Sequence, residues 1–312
     1  MDVFLLAIGS VAVGLAVGVL SGLLGIGGGT ILVPTFKLGY LMDSIACTAT
    51  SLFTVVPTSV SGAISHLRNK TCVPALGIAA GLGGAVTSPL GVWLASRSAD
   101  WMIMLAAAAI IAYSACTMLK KAFKMPAPEK GAFRANVRAA RARRAASARD
   151  AAQARPQAAS AAAGPGSAEA AAVERSAVEA GASSFPVTPK QLAVGAIIGL
   201  VAGVASGYVG VGGGFLMVPL MIQFVHMPMK TTSGTSLIAV MILAVPGVVY
   251  QAVLGNVNWV VGIAVAAGSI PGAAVGAKLV SWVPERTLRF IFGGLLFVAA
   301  VLLIVNQTGF LG

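Results

Sequence analysis

The stretch Ser21-Gly-Leu-Leu-Gly-Ile-Gly-Gly-Gly29 decides the fold, because it recurs in the second half of the chain as Ser206-Gly-Tyr-Val-Gly-Val-Gly-Gly-Gly214. Both copies interrupt long apolar segments. Three consecutive glycines are costly in a helix, since each lowers helix propensity by about 1 kcal/mol relative to Ala. Close helix packing would also use glycine. Because the cluster occurs twice at equivalent places, we favour two helix breaks that line a site.

The offset that places Ser21 on Ser206 holds far beyond the glycine clusters. It aligns Val33-Pro34 with Val218-Pro219 and Thr50-Ser51-Leu52 with Thr235-Ser236-Leu237. It also aligns three glycines with a regular four-residue spacing, Gly14, Gly18 and Gly22, with Gly199, Gly203 and Gly207. Such a register predicts two homologous halves of a duplicated, transporter-like unit.

The composition indicates a membrane protein. Of the 312 residues, 57% are apolar and only 10% are charged, whereas a soluble domain has roughly 25% charged residues. Since about 20 apolar residues span the hydrocarbon, the sequence predicts an all-α polytopic membrane protein with eight transmembrane helices. The predicted spans are 3–24, 44–66, 72–95, 100–119, 190–211, 231–254, 258–281 and 286–306.

Two half-length apolar segments, 30–41 and 215–226, follow the glycine clusters. If they do not cross the membrane, each half crosses four times and the two halves are parallel. If they cross as broken helices, there are ten crossings and the halves are inverted repeats. The inverted arrangement obeys the positive-inside rule better, so we favour it, with both termini outside. It places five basic residues on the cytoplasmic side: Arg68, Lys70, Lys230, Arg286 and Arg289.

The chain divides into a first membrane repeat (1–119), a linker (120–189) and a second membrane repeat (190–312). Residues 120–190 hold 13 of the 21 basic and five of the nine acidic residues, which is two thirds of the net charge of +12. The linker is rich in Ala and Arg, so we expect it to be disordered and cytoplasmic. We expect no nucleic-acid partner, because the charge lies in one loop.

A helix break exposes amide N–H groups at the start of the next half-helix, and these favour an anion. Hydroxyl groups nearby could donate to oxyanion oxygens, or could bond the carbonyls of their own helices. The Thr48-Ala-Thr-Ser51 segment and its counterpart Ser233-Gly-Thr-Ser236 leave both readings open. The candidate substrate-binding residues are Ser21, Gly27, Gly28, Gly29, Thr50, Ser51, Ser206, Gly212, Gly213, Gly214, Thr235 and Ser236.

Other chemistry is not expected. The sequence has no paired catalytic carboxylates, zinc pattern or P-loop, so we expect no enzyme, no cofactor and no metal. Transport would then be uniport or would be coupled to an ion gradient. Cys47, Cys72 and Cys116 are interpreted as small core residues. His66 lies at the end of a span, where an interfacial position is favoured over a role in proton coupling.

The doubled Gly-x-x-x-Gly-Ile-Gly-Gly-Gly pattern, with Val-Pro and a Thr-Ser segment after it, resembles the sulfite exporter TauE/SafE family, also called the toluene-sulfonate uptake permease family. The resemblance covers both membrane halves and leaves out the linker. It implies a multi-pass carrier of the bacterial cytoplasmic membrane for small anions such as sulfite, sulfonates or organosulfur compounds. It does not fix the substrate, the direction of transport or the oligomeric state.

The repeat symmetry suggests alternating access around a site at the midplane. Two other functions stay open: a membrane-embedded thiol-handling factor, with Cys47 or Cys72 as nucleophile, and a non-transporting scaffold that docks partners on the linker. Labelling with a thiol reagent without loss of function would exclude the first. Deleting residues 130–180 should spare a transporter and inactivate a scaffold.

Overall fold

The structure is a computed structural model that describes residues 3–126 and 188–307. Within these ranges it is all-helical. Most of the predicted linker, residues 127–187, lies outside the described residues. The first half forms five helices: α1 (Val3–Leu24), α2 (Gly29–Gly39), α3 (Ser44–Arg68), α4 (Pro74–Ser96) and α5 (Asp100–Lys124).

The second half follows the same order. It forms α6 (Pro189–Val209), α7 (Gly214–Leu220), α8 (Met229–Val253), α9 (Trp259–Leu279) and α10 (Glu285–Gln307). A π-helical turn, Met221–Val225, continues α7. The predicted spans agree with the long helices to within a few residues, except that α5 continues beyond 119 to Lys124. An all-helical membrane architecture is therefore confirmed.

Seven of the described helices are long and apolar enough to cross a membrane. The two helices that follow the glycine clusters are shorter. With a rise of 1.5 Å per residue, the 11 residues of α2 extend for about 16 Å, roughly half of the 30 Å hydrocarbon core. Residues 214–225 form a segment of similar length.

The two halves interlock through glycine. Helix α1 packs along α9, and the equivalent helix α6 packs along α4. A Cβ atom at Gly14, Gly18 or Gly22 would collide with backbone atoms of Val265, Ser269 or Ala273, respectively. These regularly spaced glycines therefore allow α1 and α9 to pack with their backbones in contact. The same three contacts show that α1 and α9 run in the same direction, since residue numbers rise together.

Helix directions follow from the remaining contacts. Along α3 and α9, Thr50 pairs with Asn258 and Thr58 with Ser269, so these helices are also parallel. Both α1 and α3 therefore run parallel to α9, and the chain must reverse direction through α2 between them. Helices α3 and α8 are antiparallel, because Gly62 faces Leu237 whereas Leu52 faces Gly247.

Two of the three cysteines are core residues, as predicted. Cys47 and Cys72 are buried, but Cys116 is exposed on α5, so the prediction that it is a core residue is wrong. Helix α5 turns one face outward, and a thiol behaves as a small apolar side chain there. Exposure on a membrane helix therefore does not require a polar environment.

Candidate functional site

Both glycine clusters break their helices through left-handed backbone. Gly25, Gly27 and Gly28 have φ of 78°, 82° and 89°. In the second half, the equivalent Gly210, Gly212 and Gly213 have φ of 75°, 80° and 71°. A side chain is disfavoured in this region of backbone space. The predicted breaks are present, and each is followed at once by a new helix.

The two breaks lie against each other. A Cβ on Gly29 would come within 2.5 Å of the Val211 carbonyl oxygen, and one on Gly214 within 2.6 Å of the Gly25 carbonyl oxygen. Such distances require backbone of one half to touch backbone of the other. The breaks therefore form a single central region at which both halves meet.

Three hydroxyl groups surround the first break without a partner. Ser21, Thr30 and Ser59 are at most 1% exposed, and none of their oxygens has a hydrogen bond within the described ranges. The Ser59 hydroxyl lies 3.4 Å from the Cβ position of Gly27, and the Ser21 hydroxyl 3.9 Å from that of Gly28. Buried hydroxyls in proteins are usually hydrogen-bonded, so this cluster has unused donor capacity.

Helix α2 adds backbone donors at the same place. Its first hydrogen-bonded amides belong to Ile31 and Leu32, which both donate to the Gly28 carbonyl oxygen. The preceding N–H groups of Gly29 and Thr30 have no acceptor among the described residues. Free amides and the positive end of a helix dipole attract negative charge. The first break therefore offers two unengaged amides, with up to three hydroxyls that have no partner among the described residues.

The second break has fewer free donors. The Gly214 N–H already donates to the Gly212 carbonyl oxygen, at 2.9 Å. Phe215 replaces Thr30 at the equivalent position, and Ala244 replaces Ser59. The Ser206 hydroxyl is buried and has no partner among the described residues, like that of Ser21. The backbone of the two breaks is thus alike, but the chemistry is concentrated in the first.

The predicted threonines serve a structural purpose outside the breaks. The Asn258 N–H donates to the Thr50 hydroxyl at 3.0 Å, immediately before α9. In the same way the Val73 N–H donates to the Thr235 hydroxyl at 2.9 Å, immediately before α4. Each threonine therefore holds the entrance of a neighbouring helix.

The predicted serines differ from each other. The Ser236 hydroxyl donates to the Gly25 carbonyl oxygen at 2.8 Å, which ties α8 to the first break. The Ser51 hydroxyl is buried and has no partner in the described chain. Of this pair, Ser236 supports the backbone of the break, whereas Ser51 retains a free donor.

Thr30 and Ser59 were missed as site residues by sequence reasoning. Two signals could have found them. Thr30 directly follows the three glycines, so it must lie in the first turn of the new helix. Ser51 and Ser59 are separated by close to two helical turns, which places both on one helix face.

His66 is fully buried within the protein and lies in the last turn of α3, so an interfacial depth stays a prediction. Its Nε2 atom lies 2.9 Å from the Gly22 carbonyl oxygen, and its Nδ1 atom 2.7 Å from the Thr71 hydroxyl. Because a carbonyl only accepts, the proton is on Nε2. The ring satisfies a carbonyl in the last turn of α1, just before the first break.

Burial lowers the reactivity of the Cys72 thiol. Burial raises the pKa of the Cys72 thiol to about 11, so it stays protonated at neutral pH, whereas the thiolate is the nucleophile. Among the described residues, no cluster of three His, Cys, Asp or Glu side chains could hold a metal ion.

The fold and the central breaks define a class: a polytopic helical membrane protein whose two halves meet around interrupted helices. The sequence profile of the sulfite exporter TauE/SafE family matches residues 10–303. The chain belongs to this family, and it is a membrane transporter and not an enzyme.

Three relatives are described as probable membrane transporter proteins. YunE of Bacillus subtilis is 23% identical over 278 residues, which cover 86% of this chain and 85% of YunE. YdhB of Bacillus subtilis is 30% identical over 104 residues, or 33% of this chain and 42% of YdhB. A protein of Xylella fastidiosa is 31% identical over 109 residues, or 34% of this chain and 42% of that protein. The match to the last two thus spans less than half of their length. No solved structure matches the chain.

Proposed function

We propose that this transporter carries small oxyanions, sulfite or sulfonates, and that the substrate binds at the first break. The observation that carries the proposal is the coincidence of the unengaged Gly29 and Thr30 amides with three unpartnered hydroxyls in the described chain. A tetrahedral or pyramidal oxyanion offers several acceptor oxygens and no donors, which matches such a site. The description of the family as sulfite exporters agrees with this substrate class.

Burial supports alternating access and argues against an open channel. Ser21, Thr30 and Ser59 are at most 1% exposed, so an anion reaches them only after helices move. Opposite rocking of two inverted repeats would open the central region to one side and then the other. The reversal of the chain through α2 is the geometry that inverted repeats require. The protein would lie in the bacterial cytoplasmic membrane with its linker in the cytoplasm, as the basic residues favour.

A scaffold or a thiol-handling factor is the alternative function. The family membership and the transporter relatives favour transport. Burial raises the pKa of the Cys72 thiol, which makes this residue a weak candidate for the nucleophile of a thiol-handling factor.

The test is the flux of radiolabelled sulfite and of a sulfonate in proteoliposomes. We compare the wild type with Thr30→Val plus Ser59→Ala, which removes two hydroxyls and changes shape little. Each hydrogen bond to a charged group is worth about 1.5–3 kcal/mol, so the double variant should lose about 100-fold or more in apparent affinity.

The matched control is Ser114→Ala. The Ser114 hydroxyl is also buried without a partner in the described ranges, but it lies on α5 and is not among the atoms that surround the break glycines. The control should transport as the wild type does. Equal losses in both variants would assign the effect to packing. Undiminished flux of the double variant would remove the substrate from the first break, and absence of flux in the wild type would exclude sulfite and sulfonates.

A further inference from the structure

A second region of the molecule has the chemistry of an anion site. A groove of about 830 Å³ lies between the end of α5, the π-helical turn and the start of α10. Lys120, Lys121, Lys124 and Arg289 line it, with Glu285 as the one carboxylate among its lining residues. It is separate from the glycine breaks, since none of the break residues lines it.

The positive charge of the groove is not neutralised within the described chain. Glu285 is already engaged, because Arg289 donates to it at 2.6 Å and the Met229 N–H at 3.0 Å. No described carboxylate pairs with the three lysines. Arg289 also holds a donor in reserve: its side chain is 12% exposed, and its Nε atom is buried without an acceptor in the described ranges.

The groove extends along α5 from the lysines to the aromatic ring of Tyr113. Tyr113 precedes Lys120 by two turns of α5, which is about 10 Å toward the middle of the membrane. Tyr113 is 53% exposed, and the wall opposite contains the largely buried Ile222. A molecule with a charged head and an apolar tail can contact both the lysines and these two side chains, whereas a free ion would contact only the lysines.

The basic residues of the groove have no basic counterparts in the other half. The positions equivalent by the repeat offset to Lys120, Lys121 and Arg289 are Val305, Asn306 and Met104. The duplicated transport region therefore does not explain it. The groove also adjoins the start of the basic linker, the side that the positive-inside rule assigns to the cytoplasm.

We propose that this groove binds the phosphate headgroup of an anionic phospholipid from the cytoplasmic leaflet, such as phosphatidylglycerol. Lysine ammonium groups and an arginine are the groups that bind such headgroups between membrane helices. The lipid chain would extend along α5 past Tyr113. The bound lipid would join α5 to the π-helical turn and thereby connect the two halves at the cytoplasmic surface.

The experiment measures lipid binding to the full-length protein by native mass spectrometry, with phosphatidylglycerol and with phosphatidylcholine. The variant is Lys120→Gln plus Lys124→Gln, which changes two exposed side chains. The control is Arg68→Gln plus Lys70→Gln, which removes two charges on the same predicted side but outside the groove. A lysine near an anionic surface contributes a factor of about five, so the groove variant should bind phosphatidylglycerol about 25-fold more weakly. The control should bind it as the wild type does.

Three results would overturn the proposal. Equal affinity for the two lipids would mean that headgroup charge is not recognised. Equal weakening by both double variants would assign binding to diffuse surface charge. Displacement of phosphatidylglycerol by millimolar inorganic phosphate would make the groove a site for a soluble oxyanion. As a second measurement, phosphatidylglycerol should raise the thermal unfolding temperature of the wild type more than that of the groove variant.

Discussion

The two glycine breaks can be compared residue by residue, because the repeat places them at equivalent positions in the two halves. Their backbones agree. Each break has three glycines with left-handed backbone, and the next helix begins at the residue after the last of them, Gly29 or Gly214. Their side chains disagree. The first break has Thr30 and Ser59 where the second has Phe215 and Ala244.

The difference separates what duplication requires from what binding requires. Left-handed glycines and close backbone contact are needed in both halves, since each break packs on the other. In the proposed function, donors for an anion are needed only once, at a central site. The second break can then become apolar, and the helix after it can pass into a π-helical turn after seven residues. Substitutions at features that both breaks share should affect both halves alike, whereas substitutions at features of one break should not.

The largest expected effect is on a shared feature. Gly29→Ala and Gly214→Ala should both destabilise the protein, because each new Cβ would lie within 2.6 Å of backbone in the other half. Overpacking of this kind costs about 1–3 kcal/mol. The measurement is thermal or denaturant unfolding of the purified protein in detergent.

Gly39→Ala is the matched control, because a Cβ there has no atom within 4 Å among the described residues. It should leave stability unchanged or raise it slightly, since Ala is the better helix former. If Gly29→Ala and Gly39→Ala behaved alike, the backbone contact between the breaks would be contradicted.

A smaller effect, on transport, should distinguish the two halves. Ser21→Ala should weaken sulfite binding about tenfold, because one hydrogen bond to an anion is lost. Ser206→Ala should change it less than about twofold, because the second break has fewer free donors around the equivalent hydroxyl. Both hydroxyls are buried and unpartnered in the described chain, so the pair differs only in its surroundings. The apparent KM for sulfite in proteoliposomes measures both, and equal losses would indicate a site shared by the two breaks.

The contrast also shows how far the sequence reaches. Hydropathy predicts the long helices to within a few residues, because membrane thickness fixes their length. The three glycines predict the breaks, because no other residue has their backbone freedom. The hydrogen-bond partners of the side chains cannot be predicted in this way. That Thr50 is engaged by Asn258 while Ser59 is free among the described residues depends on how α3 packs against α9, and a single sequence carries no record of that packing.

The groove was unpredictable for the same reason. Lys121 and Arg289 lie far apart in the sequence, and only the packing of α5 on α10 brings them together. The duplication gives no help, because the basic residues have no equivalents in the other half. Features that are present in only one half can therefore be found only in the structure, whereas features that both halves share can be predicted from the repeat in the sequence.

The smallest expected effect concerns His66, whose equivalent in the second half is Gln251. An amide can donate to the Gly22 carbonyl oxygen as the ring does at 2.9 Å. His66→Gln should therefore keep sulfite flux within about twofold of the wild type, with the same pH profile between roughly pH 6 and 8. His66→Leu cannot donate, and leaving a buried carbonyl unsatisfied should cost about 1–3 kcal/mol of stability.

The two substitutions together decide what the ring does. If His66→Gln removed a pH dependence that the wild type shows, the ring would carry a proton during transport, and the first half would hold both the anion and its coupling group. If His66→Gln is silent and His66→Leu is unstable, the ring only completes the hydrogen bonding of α1 beside the break. Because Gln251 occupies the equivalent buried position, and an amide cannot titrate in this range, we expect the second result.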